Sequence, residues 1–189
     1  MLRRNRLTPR PSGRLRRRLT QALGRYRMYV LTEQLHAAGD PSLPFKRYGK
    51  YLERNKGRFP ASAFKLASGS LLNAADRRCP HDAWLEWARF EEPAKGARRH
   101  IRHLSLRVRL LGAYHDRYLE LFYPKVYSYT MTNPVASGGH YDWRYSELRI
   151  SKTGNVLHEI EWAGPPGAHA TWLIEASDVR LRSLSLGTA

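Results

Sequence analysis

The spacing of apolar residues divides the chain into two textures. From Leu15 to Leu35 the apolar positions Leu15, Leu19, Ala22, Leu23, Tyr26, Val30 and Leu35 step mostly by three or four, the repeat of one helical face. Gly39-Asp40-Pro41 stops the pattern, with Gly in the place of a C-terminal cap. A second helix is predicted from Ser42, with Phe45, Tyr48 and Leu52 along one stripe, closing at Asn55-Lys56-Gly57. Phe59-Pro60 opens a short helix or turn through Leu66. Residues 67–80 carry mostly small side chains and read as a linker with room for one helical turn. Ahead of these helices, residues 1–13 hold Pro9, Pro11 and Gly13 among arginines and read as a flexible lead-in.

Beyond Pro80 the period becomes two. Within Ile101–Leu111, Leu104, Leu106, Val108 and Leu110 face one way while His103, Ser105, Arg107 and Arg109 face the other, as in a half-buried strand. Ala83–Phe90, Tyr118–Tyr123, Val126–Met131, Trp143–Ile150 and Val156–Trp162 are aromatic and β-branched and read the same way. Pro124 marks a bend, and Ser151-Lys152-Thr153-Gly154-Asn155 a hairpin loop. Thr171–Glu175 and Val179–Leu181 read as one last strand kinked near Ser177-Asp178. The expected fold class is α+β: basic N-terminal helices followed by an antiparallel β-sheet meander of about six strands. The expected divisions are an arm (1–13), a basic helical region (14–78) and a β domain (79–189). Aromatics on both strand faces call for a covering layer, for which the helices are the candidates. Trp84, Trp87, Trp143, Trp162 and Trp172 read as core between the layers.

Composition narrows the class. A hydrophobic content of 42% over 189 residues permits a real core and argues against global disorder. The single cysteine, Cys79, excludes an internal disulfide and a Cys-rich zinc site. No apolar run could span a bilayer, and no apolar segment of secretory type follows the first basic residues, so a cytoplasmic protein is expected.

Charge changes the picture more. Of a net +17, residues 1–78 hold 19 Lys and Arg against 4 Asp and Glu, while residues 79–189 hold 14 against 12. Arg3, Arg4, Arg6, Arg10, Arg14, Arg16, Arg17, Arg18, Arg25 and Arg27 form a block without acids. Such a block attracts phosphate, anionic lipid or an acidic protein surface. A solvated arm and an Arg-rich transit segment are the alternative readings. Binding of nucleic acid through this block is expected to be weak, non-specific and salt-dependent, because no base-reading motif accompanies it.

The candidate chemistry lies in His81-Asp82, His115-Asp116, His140-Tyr141-Asp142, Glu147 and His158-Glu159-Ile160-Glu161. Imidazole with carboxylate is the material of metal sites and acid–base pairs. The spacing matches no metal motif, however, and on a strand His158 points away from Glu159 and Glu161. No nucleophile elbow, phosphate-binding loop or dinucleotide fingerprint is present. Cys79, beside Arg77 and Arg78, reads either as a low-pKa thiol or as a small hydrophobe. No catalytic residue, metal or cofactor is assigned.

His81-Asp82-Ala83-Trp84-Leu85, Leu111-Gly112-Ala113-Tyr114-His115-Asp116-Arg117, Asp142-Trp143-Arg144-Tyr145-Ser146-Glu147, Leu157-His158-Glu159-Ile160-Glu161-Trp162 and Trp172–Val179 form a set of local motifs along the chain. Over residues 81 to about 180 this set resembles small uncharacterised bacterial α+β proteins of immunity-protein type. The resemblance implies a non-catalytic binding fold with an unknown protein partner. Immunity proteins against basic nucleases tend to be acidic, from which a net +17 departs. Three functions are therefore expected, in order. The first is a protein-binding module acting through Trp143, Tyr145, Glu147, His158 and Glu159. The second is a nucleic-acid-associated protein using the arginine block. The third is a metal-dependent hydrolase built on the His, Asp and Glu set.

Overall fold

The computed structural model describes residues 29, 40, 42–93, 97, 102–133 and 138–186. Helix α1 spans Leu43–Asn55 and buries Tyr48 and Leu52 of the expected stripe; Pro44 is buried with them, while Phe45, the third residue of that stripe, is only half-buried. Pro44 sits in the first turn, where its missing N–H has no helical partner to lose. Ser42 precedes the helix without capping it; its hydroxyl donates to Asp40 at 2.6 Å. A 3-10 turn leads to helix α2, Ala61–Ser68, and a second 3-10 turn, Ser70–Leu72, falls in the expected linker. No helix among the described residues is long and apolar enough to cross a membrane.

Eight strands follow among the described residues: β1 Trp84–Glu91, β2 Ser105–Leu111, β3 Arg117–Tyr123, β4 Val126–Met131, β5 Asp142–Ile150, β6 Val156–Ala163, β7 His169–Ala176 and β8 Arg180–Ser185. All pairings are antiparallel, so the α+β class with an antiparallel sheet holds, with eight strands in place of about six. The order is β4-β7-β6-β5-β1-β2-β3-β8, which is not a meander. β3 and β4 are separated by only Pro124 and Lys125, yet β4 pairs with β7 at one edge while β3 lies beside β8 at the other. The expected last, kinked strand is in fact two strands, β7 and β8, in opposite halves of the sheet. Its kink is a built turn. Ser62 Oγ donates to both Asp178 carboxylate oxygens at 2.8 and 2.6 Å, and Arg180 Nε donates to Asp178 at 3.0 Å. These bonds tie the crossing to α2, and Val179 is fully buried beside it.

The sheet consists of two four-stranded halves. Between β1 and β5 only Trp84 and Asp142 pair, backed by backbone bonds linking Asp82 and Ala83 to Trp143. At its far end β4 comes back to the other half: Val126 N–H donates to Leu104 O at 2.7 Å, and the Phe90 and Tyr129 rings lie 4.4 Å apart. One core fills the space between. It holds Leu106, Val108 and Leu110 of β2, Leu119 and Leu121 of β3, Ile160 and Trp162 of β6, and Trp172 and Ile174 of β7. Tyr48, Leu52, Ala63 and Leu66 of the helices belong to the same cluster. The Trp162 ring lies 5.3 Å from Trp143 and 5.0 Å from Trp172.

Trp84 and Trp87 are not part of that core. Trp84 is 49% exposed, with its indole N–H on Asp142, and Trp87 is half-buried among guanidinium groups. Where β1 leaves β5, α1 takes over the strand edge. Tyr48 Oη accepts from Leu148 N–H at 2.6 Å and donates to Leu148 C=O at 2.9 Å, and Tyr51 Oη accepts from Ile150 N–H at 2.8 Å. Side-chain hydroxyls thus replace a missing neighbouring strand, meeting the need of buried backbone groups for partners.

Candidate functional site

The alternation in β2 that buries Leu106, Val108 and Leu110 turns Arg107 and Arg109 outward, and the register lines them up with their neighbours. Arg89 of β1 faces Arg107, Arg107 faces Phe122, and Phe122 faces Arg180 of β8. One step along, Trp87 faces Arg109, Arg109 faces Glu120, and Glu120 faces Arg182. Two rows of Arg and aromatic side chains therefore cross all four strands of this half-sheet. The guanidinium groups lie over rings: Arg107 is 4.3 Å from the Phe122 centroid, Arg89 is 5.3 Å from Trp87, and Arg109 is 5.0 Å from both Trp87 and Tyr118. Such placement adds cation–π attraction and holds long side chains still.

Three carboxylates answer five guanidinium groups. Glu120 accepts two bonds from Arg109, at 2.9 and 2.5 Å, Glu91 lies 3.8 Å from Arg107, and Asp178 pairs with Arg180. Arg89 and Arg182 have no carboxylate partner among the described residues. Five guanidinium groups against three carboxylates leave the face with an excess of positive charge. A groove of about 420 Å³ runs along it between Trp87 and Arg182. The near-balanced charge of residues 79–189 conceals this face. The signal that reveals it is the spacing: Arg107 with Arg109, Arg180 with Arg182, and Trp87 with Arg89 each stand two apart on a strand, and so share a side.

Of the residues expected to contact a protein, Trp143, Glu147 and His158 are interior and present no surface to a partner. His158 lies in the core, where its Nδ1 meets the Tyr123 hydroxyl at 2.7 Å, and burial pushes its pKa down to about 3. Glu147 is fully buried, with Arg149 Nη1 2.9 Å from its Oε1 and the Tyr29 N–H donating to its Oε2 at 2.9 Å. Arg149 also pairs with Glu159, which lies at the margin of this charged cluster. Tyr145 is half-buried, 6.4 Å from the Phe45 ring and 5.4 Å from His81. Polar residues in an alternating strand look solvent-facing in sequence; here α1 and Tyr29 cover that side of β5. The arginines from Arg3 to Arg27 lie outside the described residues.

The His-Asp motifs converge in part. His81 Nδ1 and Asp82 Oδ1 are 2.8 Å apart, and His115 lies 4.6 Å from Trp84, whose indole reaches Asp142. Asp82, His115 and Tyr141 all have left-handed backbones, with φ of 61°, 54° and 59°. His140 instead packs on Trp162 and Trp172, and His158 is sealed in the core. Among the described residues no three His, Cys, Asp or Glu side chains form a group able to hold a metal ion. Asp116 binds Arg117 and Arg77, and these bonds hold its pKa down at about 2, as an ion-paired turn residue. Burial raises the pKa of Cys79, which argues against the low-pKa thiol reading. No family model, no curated protein sequence and no solved structure matches the chain.

Proposed function

We propose that the protein is a non-catalytic binding protein whose ligand is single-stranded nucleic acid, held on the outer face of β1, β2, β3 and β8. The observation that carries this reading is the register: two rows of Arg and aromatic side chains across four adjacent strands, bordering a groove. Forked guanidinium groups suit phosphate oxygens, and a guanidinium lying on an aromatic ring offers a further flat surface on which a base stacks. A duplex shields its base faces and would use only the charge. The Arg3–Arg27 block supports the same reading by adding attraction for phosphate without base preference.

Anisotropy of labelled oligo(dT) and oligo(U), titrated at several salt concentrations, tests it. R107Q with R182Q is expected to flatten the plot of log affinity against log salt by about 1.4, roughly 0.7 for each phosphate no longer neutralised. W87A is expected to lower affinity at every salt concentration without changing the slope, because stacking releases no counterions. Unchanged binding in both variants, with loss only on R16E/R17E/R18E, would move the interface to the arm.

A protein partner is the second reading, and a different surface favours it. Tyr127 and Tyr129 of the edge strand β4 are 48% and 49% exposed, and Phe90 stacks beside Tyr129. Exposed aromatics at a sheet edge suit β-strand addition by another chain. The resemblance to immunity-type proteins supports this alternative. Its mark would be a complex insensitive to salt and abolished by Y127A/Y129A.

A further inference from the structure

A cavity of about 250 Å³ lies between α1, the Ser70–Leu72 turn and β5, away from the arginine face. Phe45, Leu72 and Trp143 give it apolar walls, and Cys79, Arg144 and Ser146 also line it. Two observations mark it as more than a packing gap. Ser146 is 7% exposed, and its buried Oγ has no hydrogen-bond partner among the described residues. Buried hydroxyls are almost always bonded, so this one keeps an unmet bond that a turn of its side chain toward the cavity would satisfy. Arg144 reaches only the face of the Tyr145 ring, at 5.3 Å, and no carboxylate among the described residues pairs with it.

We infer that this cavity binds a small aryl carboxylate, its ring among Phe45 and Trp143 and its carboxylate between Arg144 and Ser146. The size admits about eight water volumes, enough for benzoate or phenylacetate and too small for a drug-sized ligand. The predominantly apolar wall favours a ring. Arg144 is the one guanidinium on the wall among the described residues, and His81, which also lines it, is tied to Asp82. The donor set therefore matches a monoanion, whereas a phosphate dianion would need more donors to replace its hydration.

Cys79, the one cysteine in the chain, stands on the wall and reports occupancy. Its alkylation rate in the full-length protein is measured against rising benzoate and phenylacetate, with benzamide and phenylacetamide as neutral controls. At least one acid is expected to slow alkylation saturably. Its amide should need about tenfold more for the same effect, because it cannot form the charge-assisted bond to the guanidinium. Arg144→Gln should bring acid and amide together, and Arg144→Lys should restore part of the gap. Near-ultraviolet circular dichroism shows whether each variant keeps its packing. The inference is overturned if neither acid slows alkylation, if the amides act equally well, or if a folded Arg144→Gln protein keeps the preference for acids. None of these outcomes bears on the nucleic-acid reading, which uses the other half of the sheet.

Discussion

A histidine sealed in the core against Tyr123 and Trp143 makes the protein sensitive to acid. His158 takes a proton near pH 6.5 when unfolded but only near about 3 in the folded core, where burial penalises the charged ring. Between those values the unfolded chain binds more protons, so folded stability falls as pH drops through this window. The slope approaches about 1.4 kcal/mol per pH unit for this one group. Urea midpoints measured from about pH 7 down to pH 4 should fall in the wild type and stay flatter in His158→Gln. Parallel curves would mean that His158 is hydrated or charged in the fold. The carboxylates act at lower pH. Bonds from Arg78 hold the Asp76 pKa down at about 2, and bonds from Arg117 do the same for Asp116, so both give up stability only as pH falls below the ordinary 3.8. Glu175 shows two effects in opposition. Its burial alone would raise its pKa, yet hydrogen bonds from Thr153, Ser151, Asn155 and Ser128 outweigh that and lower it. Those same bonds close the β5–β6 turn around Gly154, whose φ of 84° suits glycine.

Among the elements, α1 has the least usual duty, since its tyrosines finish a strand edge that no strand completes. Removing the Tyr48 hydroxyl leaves both backbone groups of Leu148 without partners in a buried place. Each orphaned group costs about 1–3 kcal/mol. Tyr48→Phe should therefore lower the urea midpoint by the equivalent of about 2 kcal/mol or more, with an unchanged slope. Tyr51→Phe frees only Ile150 N–H and sits nearer to water, so it should cost less. Equal effects from the two would show that α1 does not cap β5. The crossing from β7 to β8 depends on α2 in a similar way, through Ser62 and Asp178.

At the level of the whole molecule, the boundary near residue 79 separates kinds of element but does not separate cores. Tyr48, Leu52, Phe59, Ala63, Leu66 and Ala67 bury themselves in one cluster with the strand residues Leu106, Val108, Leu119, Trp143 and Ile160. A fragment of residues 79–189 would expose that shared surface and leave the β5 edge uncovered. It should bind a hydrophobic dye, lose near-ultraviolet circular dichroism and melt without cooperativity. A cooperative, dye-free fragment would establish an independent β domain. The charge is likewise arranged by the whole fold. Five arginines share the outer face of one half-sheet, while Glu147, Glu159 and Glu175 belong to the other half.

Local pattern was enough for much of this protein. A period of three to four located α1, a period of two located β2, and aromatic and β-branched runs between turn residues located most other strands, because each of these signals follows from preferences that neighbouring residues set by themselves. The alternation in β2 also placed Arg107 and Arg109 opposite Leu106 and Val108. Pairing was decided elsewhere. Strands β3 and β4 adjoin in sequence and part in space, and β7 and β8 look like one kinked strand until Asp178 is seen anchored to Ser62. Which strand lies beside which depends on contacts between residues tens to a hundred positions apart, and no local period records those contacts. The candidate site divides in the same way. Repeats two residues apart already put Trp87 with Arg89, Arg107 with Arg109, and Arg180 with Arg182 on common sides. Only the register of four strands made them one surface, and only the tertiary packing made Glu147 and His158 interior, Glu147 beside Tyr29 and Arg149 and His158 against Tyr123 and Trp143.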